Sequence, residues 1–164
     1  MTTIVYRHGI LYGDSRAYTG SCAPMGQKNK VSRLSDGTLV GVSTGTPGSS
    51  ERLIAWLESL VEKHGGLRGI DWESAHNIRD LGKFTVLAVL AQGEALLFEN
   101  SLFPSGPIKH DYYAVGSGRD FALGVFAHGG SAKDAIKVAC QLDVWSQLPA
   151  TGLKHDGHSL TVEG

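Results

Sequence analysis

The second residue of the chain could carry both halves of an acyl-transfer reaction. The sequence begins Met1-Thr2-Thr3, and aminopeptidases generally remove an initiator methionine that precedes a residue as small as threonine. Thr2 would then carry a free α-amine beside its own hydroxyl. An α-amine has an unperturbed pKa of about 8, so it can be neutral near physiological pH and accept the hydroxyl proton, directly or through a water. The pattern indicates a nucleophile and a base in one residue, although a threonine here is ordinarily just a strand residue.

Further motifs that could support such chemistry follow along the chain. They are Gly13-Asp14, Lys30 to Leu34, Gly41 to Thr46, Ala114 to Gly118 and Asp143 to Ser146. Taken separately, each has a simpler interpretation. An aspartate and a lysine usually form a surface salt bridge worth under about 1 kcal/mol, and Gly-Ser-Gly is a common turn between a strand and a helix. Only their combination with Thr2 favours a catalytic site.

Composition excludes several other functions. The chain has 164 residues and a formal net charge of -1, which argues against binding to a nucleic acid or another polyanion. Cys22 and Cys140 lack metal-ligand spacing, and His155 and His158 lie in a polar tail, so neither a metal nor a cofactor is expected. The sequence contains no apolar run of membrane-spanning length and no signal peptide, which predicts a soluble cytoplasmic protein without a membrane partner.

Short apolar runs separated by glycine turns predict hairpins and helices. Strands are expected over residues 3–6, 10–13, 30–34, 38–42, 85–91, 95–99, 112–115 and 159–162. Helices are expected from an N-cap at Thr46 to Gly65, over 72–81, through 121–126, and from Ser131 to about Leu142. Residues 15–29 and 65–83 are expected to be the long irregular stretches, the second with the short helix at 72–81 inside it, and to form groove wall and subunit contact. This order predicts an α+β domain in which helices cover the sheets.

In order and spacing, these motifs resemble the proteasome β-subunit family, especially its bacterial HslV-type form. The resemblance covers about residues 2–146 and leaves 147–164 as a variable C-terminal tail. It implies a single domain over residues 1–164, folded as a four-layer αββα sandwich of the N-terminal-nucleophile hydrolase type. It also implies a threonine peptidase that hydrolyses peptide bonds.

The resemblance assigns roles to three residues at the centre of the site. Thr2 is similar to the family's nucleophile, Asp14 to its acid, and Lys30 to the lysine that pairs with that acid. The assignments agree with electrostatics. A buried lysine disfavours the protonated amine nearby and helps to keep it a base, while the aspartate compensates for the burial of the lysine.

Four further residues match supporting positions of the family. They are Gly45, Ser117, Asp143 and Ser146. Gly45 would supply the oxyanion-hole N–H, Ser117 would bond near the Thr2 amine, and the last two would form the supporting acid and serine. The sequence departs from the family at Gln147, where a glycine is usual, and at Thr44, where the bacterial form has the first glycine of a pair. The latter departure puts the likeness of the substrate pocket in doubt.

The resemblance also implies partners. Relatives assemble into a ring or double ring, so a homo-oligomer is expected, with an ATP-dependent unfoldase feeding unfolded protein or peptide into its chamber. Two other hypotheses remain open. One is an amidase of the same chemistry that acts on small amides. The other is a catalytically silent assembly protein that retains Met1, because a retained methionine acylates the amine that must act as the base.

Overall fold

The computed structural model describes residues 1–18 and 23–164, so Cys22 lies outside the described residues. Its strands are β1 (Thr3–Arg7), β2 (Ile10–Gly13), β3 (Arg16–Tyr18), β4 (Pro24–Gln27), β5 (Val31–Arg33), β6 (Leu39–Thr44), β7 (Phe84–Val89), β8 (Ala95–Glu99), β9 (Ser105–Ile108), β10 (Tyr112–Gly116), β11 (Ala150–Lys154) and β12 (Ser159–Val162). Its helices are α1 (Ser49–His64), α2 (Arg119–Ala127) and α3 (Ala132–Leu142).

Ten of the described strands form two antiparallel sheets. The first has the order β10-β1-β2-β11-β12, and the second has the order β5-β6-β7-β8-β9. Strands β3 and β4 pair only with each other, as a hairpin outside both sheets. Because β1 lies inside the first sheet, between β10 and β2, the start of the chain is held by a strand on each side.

Three hydrophobic clusters fill the interfaces between the layers. One joins α1 to the second sheet, and another joins α2 and α3 to the first sheet. The third fills the space between the two sheets and contains Ile4, Leu11, Leu39, Leu87 and Val89. The sheets are in close contact, since a Cβ at Gly41 would lie 2.4 Å from Cγ2 of Ile4. The predicted α+β fold with its αββα layering is confirmed.

Local signals positioned several elements correctly. The turn between β1 and β2 contains His8 and Gly9, both in the left-handed region with φ of 51° and 80°, which suits a two-residue hairpin turn. The N-terminus of α3 is a capping box, in which the Ser131 hydroxyl accepts from Asp134 N and the Asp134 carboxylate accepts from Ser131 N. The predicted end of α1 at Gly65 is also confirmed.

The predicted start of α1 is wrong by about two residues. Gly48, with φ of 79°, occupies the N-cap position in place of Thr46, and its lack of a side chain leaves no side-chain cap. Thr46 instead accepts a backbone hydrogen bond from Ser49 at 3.2 Å, which closes a turn around Pro47. The turn carries the chain from β6 onto the outer face of the second sheet before the helix begins.

The predicted short helix over residues 72–81 is absent from the described structure, which has a turn at 72–75 and irregular chain from 76 to 81. Ala75 N donates to Asp71 O, but no helix continues from that bond. The Trp72 ring packs against those of Trp56 and Phe98, with centroid distances of 6.0 Å and 5.4 Å. Aromatic packing on the α1 layer therefore fixes this segment, and helical periodicity does not.

Four strands lie where no strand is expected from the sequence. They are β3, β4, β9 and β11. Residues 15–18 and 23–29, predicted to be irregular, thus contain the paired strands β3 and β4. Within the described ranges, no helix has the length and apolar character needed to cross a membrane.

Candidate active site

Thr2 is held in a fixed place where β1 begins. The residue is only 4% exposed, and its carbonyl accepts a hydrogen bond of 2.8 Å from Ser117 N. Gly116, with φ of 96°, lies against the same carbonyl, and a Cβ there would be 1.7 Å from the Thr2 oxygen. Only glycine fits at position 116, and this close approach of two backbones fixes the position of Thr2.

Asp14 and Lys30 form a buried ion pair close to Thr2. Their Nζ to Oδ1 distance is 2.9 Å, and the two side chains are 0% and 8% exposed. The same Oδ1 accepts from Thr3 N at 3.0 Å, while Oδ2 accepts from Arg16 N at 3.0 Å and from Gln147 N at 3.2 Å. The pair is therefore not the surface salt bridge of the simpler interpretation, because the aspartate is fully buried and has a donor at both oxygens.

The protonated form of Lys30 is less favoured than that of a lysine in water. Burial lowers the pKa of Lys30 below its usual value, and the opposing charge and hydrogen bond of Asp14 only partly restore it. The Lys30 ammonium also donates to the Met1 carbonyl at 3.4 Å, so it lies beside the bond that joins Met1 to Thr2. Its charge therefore acts directly on the group that becomes the N-terminus when Met1 is removed.

A second carboxylate, Asp143, holds the neighbouring hydroxyls. Its Oδ2 accepts from Ser117 Oγ at 2.7 Å and from Ser146 Oγ at 2.6 Å, and its Oδ1 accepts from Trp145 N at 3.2 Å. Burial alone would raise the pKa of Asp143, but these hydrogen bonds keep it below its usual value. Asp143 is thus an anion that orients Ser117 and Ser146.

Thr3 joins the two carboxylates and was not singled out from the sequence. Its N–H binds Asp14, and its hydroxyl lies 2.7 Å from Ser146 Oγ and accepts from Gly118 N at 3.1 Å. The sequence feature that points to this role is a hydroxyl-bearing residue at the start of a mainly apolar strand. A hydroxyl there has to find partners inside the protein because the strand is buried on both faces.

A cleft of about 360 Å³ opens beside Thr2 and is lined by Lys30, Thr44 and Gly45 among others. The Gly45 N–H donates to Lys83 O, towards β7, whereas the Val42 N–H donates to Lys30 O on the other side of β6. Because N–H groups alternate sides along a strand, the Thr44 N–H points towards the Lys30 side, where the cleft lies. This register disfavours the expected Gly45 and favours Thr44 as the backbone donor.

Cys140 lies near the ion pair but is not a candidate nucleophile. It is a free cysteine, and burial, with the nearby Asp14 charge as the next cause, raises its pKa to about 12. A thiol with that pKa stays protonated at physiological pH and is a poor nucleophile. Among residues 1–18 and 23–164, no group of three or more His, Cys, Asp or Glu side chains could hold a metal ion.

Comparisons with known proteins agree with this geometry. No protein-family model matches the chain. A curated relative, the ATP-dependent protease subunit HslV of Rhizorhabdus wittichii, is 29% identical over 125 residues, which cover 70% of this chain and 64% of the relative. The chain thus matches somewhat less than two-thirds of that protein's length.

Solved structures share the fold across almost the whole chain. Eukaryotic HslV from Trypanosoma brucei aligns with a TM-score of 0.70 at 18% identity, covering 94% of this chain and 99% of that one. The structure of Thiobacillus denitrificans BPH in complex with epoxomicin aligns with a TM-score of 0.62 at 18% identity, covering 99% and 97%. The fold is the one predicted from the motifs, that of the N-terminal-nucleophile hydrolases. Within it, these matches support the HslV-type proteasome β-subunit family, as the motifs predicted.

The position of Thr3 generates a stability prediction. Thr3→Val keeps the side-chain shape but removes the hydroxyl, which leaves the buried Gly118 N–H without an acceptor. We expect a loss of about 1–3 kcal/mol in the free energy of unfolding, measured by urea denaturation. Thr85→Val, on β7 and only half-buried, is the matched control and should change stability by less than about 0.5 kcal/mol. Equal effects of the two substitutions would contradict a bridging role for Thr3.

Proposed function

We propose that this protein is a threonine peptidase, with Thr2 as the nucleophile and its free α-amine as the base once Met1 is removed. The observation that carries the proposal is the buried pair of Asp14 and Lys30 beside Thr2, at the wall of an open cleft. A nucleophile held by its backbone, next to a desolvated cation and an accessible groove, suits acyl transfer.

The reaction would proceed through an ester. The Thr2 hydroxyl attacks the carbonyl carbon of the peptide bond, and its proton passes to the α-amine, directly or through a water. The resulting ammonium gives that proton to the leaving amine, which departs as the C–N bond breaks. Water then attacks the ester carbonyl, with the amine again accepting a proton, and the carboxylic acid product leaves while Thr2 is restored.

The surrounding groups have separate tasks in this scheme. The Lys30 charge keeps the nearby amine unprotonated, and Asp14 makes the burial of that charge tolerable. Ser117, held by Asp143, orients the N-terminal residue through its contacts with the Thr2 carbonyl. The Thr44 N–H, which faces the cleft, would stabilise the oxyanion that forms on the attacked carbonyl.

Removal of Met1 is a required step in this proposal. While Met1 is attached, the Thr2 nitrogen is an amide and cannot act as a base. Met1 also lines the cleft, so it occupies space beside the nucleophile. The mass of the intact, natively expressed protein would therefore separate an active peptidase from the silent assembly protein, in which Met1 is retained.

The names of the relatives support the same function. One relative is a subunit of an ATP-dependent protease, and one structural neighbour was solved with epoxomicin, a proteasome threonine-protease inhibitor. By extension from HslV-type proteins, we propose a homo-oligomeric ring in the cytoplasm that receives unfolded protein or peptide from an ATP-dependent unfoldase. The single domain over residues 1–164 remains part of this proposal.

The nucleophile is tested by substitution of Thr2 in protein that lacks Met1. Thr2→Ala should lower the rate of peptide hydrolysis by several orders of magnitude, because the attacking oxygen is gone. Thr2→Ser should keep part of the activity, since hydroxyl and amine both survive. The measurement is the release of a fluorophore from peptide amides, with circular dichroism to verify folding.

If the Thr2→Ala variant is about as active as the unsubstituted Met1-free protein, Thr2 is not the nucleophile. If Met1-free protein hydrolyses small acyl-amides and leaves every peptide intact, the amidase hypothesis replaces the peptidase. If neither substrate class is turned over, the silent assembly protein remains.

The lysine gives a second prediction. Lys30→Ala should lower activity about as much as Thr2→Ala, and Lys30→Arg should also fail, because a planar guanidinium does not fit the compact, buried site beside Asp14. Lys63→Ala, in the exposed last turn of α1, is the control and should leave activity unchanged. Peptidase rates for the three variants are compared after their folding is verified.

The pH dependence checks the same residue. Activity should rise as the amine loses its proton, through an apparent pKa at or below about 8. As the pH is raised further, activity should decline again, because Lys30 loses its charge. This decline should begin before pH 10.5, the usual pKa of lysine, since the pKa of Lys30 is lowered. A flat profile between about pH 6 and 9, where the amine should lose its proton, would argue against an amine base next to a charged lysine.

Assembly gives a further prediction. A peptidase with an open cleft would degrade other proteins, so confinement inside a closed symmetric ring is the expected safeguard. We expect light scattering to return a homo-oligomer of about six or more chains, since cyclic closure builds such assemblies. A monomer or dimer with undiminished peptidase activity would refute the ring and leave the chemistry of Thr2 standing.

A further inference from the structure

The charged residues that line the cleft beside Thr2 all have the same sign. They are Arg16, Lys28 and Lys30. Within the described part of the chain, no aspartate or glutamate belongs to the lining, and the undescribed residues 19–22 contain no acidic residue. The groove next to Thr2 is therefore bordered by cations. Its net charge depends on which of these cations are paired with a carboxylate of the protein.

Lys30 contributes little net charge, whereas Lys28 has an exchangeable partner. Lys30 is neutralised by buried Asp14. Lys28 Nζ lies 2.7 Å from Glu51 Oε1, which reaches it from the first turn of α1. The Lys28 and Glu51 side chains are 43% and 61% exposed, so water screens this ion pair and another carboxylate can replace Glu51 at little cost.

Arg16 has neutral partners. Its guanidinium donates to Val144 O at 2.7 Å, to Gln147 Oε1 at 3.0 Å and to Tyr18 Oη at 3.4 Å. No carboxylate lies within 4 Å of the guanidinium nitrogens in the described ranges. Since the other two cations of the lining have carboxylate partners, the cleft keeps an excess of one positive charge.

The uncharged part of the lining also suits an acidic side chain. Thr44 and Ser50 line the cleft, and their hydroxyl oxygens lie 3.4 Å apart, within hydrogen-bond distance of each other. Hydroxyls can donate to a carboxylate, and hydrogen bonds to a charged acceptor are stronger than those between neutral groups. Because one hydroxyl of the Thr44 and Ser50 pair donates to the other, the pair keeps one hydrogen that can bind a substrate carboxylate.

We propose that the cleft selects peptides with an acidic side chain next to the bond that Thr2 cleaves. This specificity rests on the proposed peptidase function. The substrate carboxylate takes the place of Glu51 on Lys28, and the uncompensated charge of Arg16 adds to the attraction. Glu51 acts as a competing internal carboxylate that keeps Lys28 in position while the cleft is empty.

The test compares peptide amides that differ only in the residue on the acyl side of the cleaved bond, with Glu, its isostere Gln, Leu or Arg at that position. Met1-free protein should have a kcat/KM for the Glu peptide about fivefold above that for the Gln peptide, as expected for one partly exposed charge pair. The ratio should shrink as salt is raised, because exposed charges are screened.

Variants of the ion pair give opposite results. Lys28→Met should bring the Glu to Gln ratio close to one and raise the rate with the Arg peptide, since Glu51 is left beside the cleft without its partner. Glu51→Gln should raise the Glu to Gln ratio, because Lys28 then has no competing carboxylate. Lys63→Met, at the far end of α1, is the matched control and should leave the ratio unchanged.

Each outcome supports or overturns the specificity. If the protein cleaves the Leu or Arg peptide while the Glu to Gln ratio is one or less, the acidic preference is wrong and the peptidase function stands. A ratio above one that Lys28→Met and Glu51→Gln leave unchanged also overturns the role of Lys28. If no peptide is cleaved by Met1-free protein, the proposed function fails and the specificity fails with it.

Discussion

The buried ion pair between Asp14 and Lys30 is the interaction on which the rest of the site depends. Two charges withdrawn from water are tolerated only when they pair closely and the remaining lone pairs find donors. Asp14 meets this demand with N–H groups from Thr3, Arg16 and Gln147. Strand β1, the start of β3 and the segment before β11 are thereby drawn to one point, and the cleft opens on the side of Thr2 and Arg16.

Two carboxylates near one chain start have different tasks because their neighbours differ. Asp14 faces a lysine and balances its charge, whereas Asp143 faces hydroxyls and fixes their direction. Thr3 connects them. Its backbone N–H donates to Asp14, and its hydroxyl lies next to Ser146, which donates to Asp143. The geometry around Thr2, the proposed nucleophile, therefore depends on a neighbour that has no chemical step of its own in the proposal.

The sequence predicted those features that short-range patterns encode. The capping box at Ser131 and the turn at Gly9 each follow from a few neighbouring residues, whereas the pairing of Lys30 with Asp14 was expected from the family resemblance of the motifs. The failures involve contacts between distant segments. Trp72 packs against other rings and does not continue a helix, β9 and β11 acquire their strand form from the sheets they join, and the direction of the Gly45 N–H depends on the register between β6 and β7.

The position of β1 between two strands has a practical consequence for producing the protein. An affinity tag or fusion partner at the N-terminus would pass through the cleft beside Lys30 and would also convert the Thr2 amine into an amide. At the other end, β12 is an edge strand, and Gly164 is exposed. Purification tags therefore belong on the C-terminal side, and an N-terminal tag is acceptable only when a protease can trim it back to Thr2.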